Sequence, residues 1–87
     1  MKLRILYHQN DEYSTKVENF VEECKKESSQ DIDLVSLETP EGASIASIYD
    51  ITDYPAILVL RDDGQLNRGW QGPNFPTIDE VIGYLNS

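Results

Sequence analysis

The chain has 87 residues, with 7 Lys and Arg against 16 Asp and Glu, one His and one Cys. That length supports one small domain, residues 1–87, and a hydrophobic content of 39% is enough to give it a core. A net charge of −9 argues against nucleic acid and anionic membrane as partners, and a single cysteine excludes an intrachain disulfide, a Cys-x-x-Cys pair and a Cys-rich zinc site.

Residues 1–8 are too short and too mixed in character for a signal peptide, and the longest apolar run, Ala56–Leu60, is far below a membrane span. The expectation is a cytoplasmic protein. Lys2–Tyr7 reads as a strand. Asn10 or Asp11 then offers a helix cap, since either side chain can accept a bond from a first-turn N–H. Tyr13, Val17, Phe20, Val21 and Cys24 recur at helical period and form one apolar stripe. Residues 28–31, Ser-Ser-Gln-Asp, end that helix.

Ile32–Leu37 reads as a second strand, apolar on both faces. Thr39-Pro40 is a cap followed by proline at the first helical position, so a helix begins near Pro40, with Ile45, Ile48 and Tyr49 as its buried face. Ala56–Leu60 is continuously apolar, which suits a central strand covered on both sides. Asp62-Asp63-Gly64 is a tight-turn signal, and Gln65–Trp70 is the antiparallel partner. Thr77 and Glu80 fit a capping box, after which Ile78, Val81, Ile82 and Leu85 form a last amphipathic helix. The order is βαβαββα. Two strands joined through a helix are expected to be parallel, and the last two strands form a hairpin. The fold class is therefore α/β, a mixed four-stranded sheet with helices on both faces.

That order resembles the thioredoxin-like fold in its compact, glutaredoxin-sized form. The residues that carry the resemblance are Tyr49-Asp50-Ile51-Thr52-Asp53-Tyr54-Pro55-Ala56, similar to the family's Tyr-x-Val-x-x-x-Pro-Thr segment, then the apolar strand, Gly64 and Gly72. The Asp62-Asp63 turn is one residue longer than the family's. The dipeptide Tyr54-Pro55 alone favours an ordinary trans bond, whereas the resemblance implies a cis bond opening the central strand.

In this family the redox cysteines lie between the first strand and first helix, where the helix N-terminus stabilises a thiolate. Here that place reads His8-Gln9-Asn10-Asp11-Glu12-Tyr13-Ser14, with Asp11 and Ser14 at the two motif positions. A carboxylate cannot attack a disulfide, and a serine needs an activating base. The dithiol and monothiol mechanisms are both absent, which argues against an enzyme. Cys24 falls on the apolar stripe and reads as a core residue. His8, Asp11 and Ser14 are the residue types of a hydrolytic triad, yet they fall on one short loop, which does not suit triad geometry, so His8 reads as a solvated loop residue. Nor do His8, Asp11 and Glu12 have a recognised metal-ligand spacing. No cofactor and no metal are expected.

What the resemblance leaves is the family's substrate-facing surface: Asp11, Glu12, Tyr13, Ser14, Tyr54, Pro55 and Gly72. Family members there offer backbone groups to an extended peptide, which needs no thiol. The expectation is a redox-inactive module that binds a protein or extended peptide, more readily a basic one. A glutathione-linked activity through Tyr7, Ser14 or Cys24 is the alternative, and a structural domain of a larger assembly is a third reading. Trp70 reads as packing over the sheet edge or the last helix, and Phe75 as a lid on the core or a surface anchor.

Overall fold

Seven elements succeed one another in a computed structural model that describes residues 2–9, 12–27, 32–72 and 75–85. They are β1 (Lys2–Tyr7), α1 (Ser14–Glu27), β2 (Ile32–Ser36), α2 (Pro40–Ile48), β3 (Ala56–Leu60), β4 (Leu66–Gln71) and α3 (Ile78–Leu85). The strands form one sheet in the order β2-β1-β3-β4. β1 and β2 are parallel, while β3 runs antiparallel to both β1 and β4.

Strand residues alternate between faces, and the two central strands are apolar on both. Leu3, Ile5 and Tyr7 of β1, with Ile57 and Val59 of β3, meet Val17, Phe20, Val21 and Cys24 of α1 and Val81 and Leu85 of α3. Leu6, Ala56, Leu58 and Leu60 face the other way, onto Val35, Ile45, Ala46 and Ile51. Two cores share one sheet, and every residue of β3 is buried.

Local chemistry fixes both ends of α2. Thr39 is its cap: the Oγ1 accepts the Gly42 N–H at 3.1 Å, and Pro40 opens the first turn. Gly42 rests on the end of β2, where an added Cβ would collide with the Ser36 carbonyl. At the other end Asp50 N–H donates to Ser47 O and Ile51 N–H to Ala46 O, a Schellman closure with Ile51 and Ala46 both buried in the same core cluster. The closure puts Asp50 at φ 55, in the left-handed region that glycine usually fills.

Several expectations shift. α1 begins at Ser14, and Val17 N–H donates to Tyr13 O, which puts Tyr13 just ahead of the first turn. Asn10, Asp11 and the predicted terminator at 28–31 lie outside the described residues. β2 ends at Ser36, one residue early, and β4 spans Leu66–Gln71 instead of residues 65–70. The hairpin register slips between Val59 and Leu60, where Asn67 is the extra residue on β4. Ile48 is 67% exposed rather than buried. The face of α2 that meets the sheet carries Gly42, Ile45 and Ala46, and the next residue on that face is Tyr49, not Ile48. The predicted capping box at α3 is present in its first half: Glu80 N–H donates to Thr77 Oγ1 at 3.1 Å.

Candidate functional site

Parallel pairing sets Tyr7 opposite Ser36. The chain segments that follow therefore leave the sheet side by side, His8 from β1 and Leu37–Glu38 from β2. Glu38 becomes the hub. Its Oε2 accepts from Ser36 Oγ at 2.7 Å and from the Gln9 N–H at 3.4 Å, and its Oε1 lies 3.0 Å from His8 Nδ1. The Glu38 N–H in turn donates to Ser36 Oγ. Bonds from Ser36 first and His8 second hold the Glu38 carboxyl down at about 2. An ionised carboxylate only accepts, so His8 Nδ1 carries the proton of this bond and Nε2 is left for another partner.

The His8 ring meets Tyr54 edge to face, with centroids 5.3 Å apart. Tyr54 belongs to a loop held from three sides. The Tyr54 hydroxyl donates to Ile51 O at 3.1 Å. Gln71 Oε1 accepts both the Thr52 N–H and the Asp53 N–H, at 3.0 and 3.2 Å. The Gly72 N–H donates to Pro55 O at 3.0 Å, with Gly72 at φ 95. The Tyr54–Pro55 peptide is cis. Between this loop, His8 and the near side of α2 lies a groove of about 460 Å³. Leu37, Ala43, Ala46 and Ile51 supply apolar lining, and Ser47, Asp50 and Thr52 supply polar groups.

Of the residues expected at a binding surface, Tyr54, Pro55 and Gly72 come together through these bonds. Asp11 lies outside the described residues. Glu12 is exposed, while Tyr13 and Ser14 are half-buried at the start of α1. Glu38, Ser36, Gln71 and Asp50 belong to the site and are absent from the sequence-based set. A signal for the first two existed: parallel neighbours bring the residues after each strand together. His8 is the loop residue expected, its side chain 43% exposed, and Glu38 and Tyr54 are the partners of its ring.

The other reactive groups are placed away from chemistry. Cys24 is fully buried, and burial, with the charge of Glu23 adding, pushes its thiol up to about 11. Tyr7 is a core residue at 7% exposure, which removes it as a holder of a ligand thiolate. Trp70 stacks edge-on against Tyr84 with Arg68 over its ring. Phe75 covers Phe20 as a lid on the α1 and α3 core. Among the described residues no cluster of His, Cys, Asp or Glu is arranged to hold a metal ion, and no helix is long and apolar enough to cross a membrane.

No protein-family model matches the chain, and no curated protein matches it. Solved structures do. Thioredoxin 1 from the thermophilic eubacterium Thermosipho africanus superposes with a TM-score of 0.74 at 17% identity, over 99% of this chain and 91% of that one. A malarial protein superposes with a TM-score of 0.68 at 16% identity, over 99% and 96%. The chain has a thioredoxin-like fold.

Proposed function

We propose that this thioredoxin-like domain is a redox-inactive binding module that takes an extended segment of a protein partner in the groove between α2 and the Tyr54–Pro55 loop. The observation that carries the reading is the loop itself. Bonds from Gln71, Gly72 and the Tyr54 hydroxyl hold it, so its backbone is pre-organised to receive a chain. Tyr54 stands outside the β3 ladder, which begins at Ala56, and its main chain is the natural place for strand-like pairing.

The groove's chemistry supports a basic segment. Asp50 lines it, Glu38 flanks it behind His8, and the whole chain carries a net charge of −9. The apolar lining suits a neighbouring aliphatic side chain. Two facts support redox inactivity: Cys24 is the only thiol in the sequence, and it is buried in the core with burial pushing its pKa up.

The test pairs an activity with a binding measurement. A thiol–disulfide exchange assay on a protein disulfide substrate is expected to read background. An unstructured peptide of alternating Lys and Leu is expected to bind, with affinity falling as salt rises. Asp50→Asn is expected to weaken it by about threefold to tenfold, in the range of one partly exposed charge contact. Disulfide reduction above background, or binding of reduced glutathione instead of the peptide, would overturn the proposal.

A further inference from the structure

The half of the α2-side sheet face that lies away from the groove has a different character. α2 is nine residues long, about 13 Å at the helical rise, and it covers only one end of that face. At that end β1 presents Leu6. Moving back along the strand the same face carries Arg4 and then Lys2, opposite Leu58 and Leu60. The other wall comes from the β3–β4 turn, with Arg61 and Gly64. The ring of Tyr49, whose hydroxyl donates to Gly64 O, closes the gap to α2. The result is a cavity of about 290 Å³ lined by three cationic side chains.

That grouping is unusual for this chain. Lys2, Arg4 and Arg61 are three of only seven Lys and Arg in a protein of net charge −9. Opposing charge is limited. Asp33 of β2 holds Arg4 Nη2 at 3.1 Å and Lys2 Nζ at 3.6 Å, which positions both stems but lies outside the cavity lining. Asp62 lines the cavity and already has an interaction of its own. With Asp33 counted beside Asp62, the three cations keep an excess of one positive charge. The Arg4 side chain is 21% exposed, so its charge is little screened by solvent.

We propose that this cavity binds a small phosphate ester, with the phosphoryl oxygens held by Lys2, Arg4 and Arg61. Guanidinium groups present planar forks suited to phosphate oxygens, and a lysine adds a mobile point charge. A phosphoryl group offers one oxygen to each of the three cations, where a carboxylate has only two oxygens to share among them. Tyr49 offers a ring face on which the organic part of the ester rests. The cavity shares no lining residue with the peptide groove, although Tyr49 and Asp50, which line one each, are neighbours in the chain.

The test is a heteronuclear NMR titration of the full chain at constant ionic strength with inorganic phosphate, phenyl phosphate and acetate. Saturable shifts at Lys2–Arg4, Arg61 and Gly64 are expected with both phosphates, with phenyl phosphate the tighter. Arg61→Gln, at an exposed position, is expected to lower phosphate affinity about tenfold with no change in melting temperature. A Tyr49→Leu variant is expected to remove the advantage of phenyl phosphate alone. Equal response to acetate, absence of saturation, or affinity unaffected by Arg61→Gln would overturn the assignment, as would shifts centred elsewhere.

Discussion

His8 Nδ1 stands 3.0 Å from Glu38 Oε1 although thirty positions separate them in the chain. The contact exists because β1 and β2 pair in parallel and end level with each other, at Tyr7 and Ser36. It ties the exit of one strand to the exit of the other and turns the His8 ring toward Tyr54.

Acid is expected to undo this cluster. The folded Glu38 pKa lies at about 2, below its ordinary 4.5. A depressed acid stabilises the native arrangement above its ordinary value, and the contribution is lost as pH falls from 4.5 toward 2. NMR of the Glu38 carboxyl and the Gln9 amide is expected to show a common midpoint near 2. Ser36→Ala is expected to raise that midpoint, because the Ser36 bond is the largest cause of the shift.

Cys24 is expected to resist a thiol reagent in the native state at neutral pH, and to react fully once the chain is unfolded. Its native pKa of about 11 lies above the ordinary 9.0, so the thiol stays protonated on folding. The associated stability is lost as pH rises from 9.0 toward 11. Fast native labelling at neutral pH would place the thiol outside the core.

Gly42→Ala is expected to destabilise the domain by about 1–3 kcal/mol, the cost of overpacking a tight site. The new methyl would meet backbone, the carbonyl of Ser36, rather than a side chain that can swing away. Thermal unfolding checks it, with a drop of at least about 4 °C expected for a domain of this size. Gly83→Ala serves as control, because its added Cβ meets nothing, and it is expected to be neutral or stabilising.

Asp50→Gly is expected to separate stability from binding. Glycine relieves the left-handed conformation at φ 55 and is expected to stabilise by about 1 kcal/mol or less. The same change removes the carboxylate from the groove, so a basic peptide is expected to bind more weakly. Denaturant unfolding and peptide titration on one preparation read both effects.

The fold was legible because its signals are local. The stripe from Val17 to Cys24, the Thr39-Pro40 cap and the run Ala56–Leu60 each specify an element, and their order dictates the topology. Ile48 misled because α2 is too short and too uniformly small for periodicity to set its inner face. The site was harder to read because its bonds are long-range. Glu38 and Gln71 carry no motif, and their roles arise from strand register and loop closure. Tyr54, Pro55 and Gly72 were readable only through a resemblance, not from their own chemistry.

The sharpest test of peptide binding is a heteronuclear NMR titration of the whole chain with an unstructured Lys- and Leu-containing peptide. Saturable shifts at His8, Asp50, Tyr54 and Gly72, diminished by salt, are expected. Shifts absent at saturating peptide, or confined to the α1 and α3 side of the sheet, would contradict a binding groove at the Tyr54–Pro55 loop.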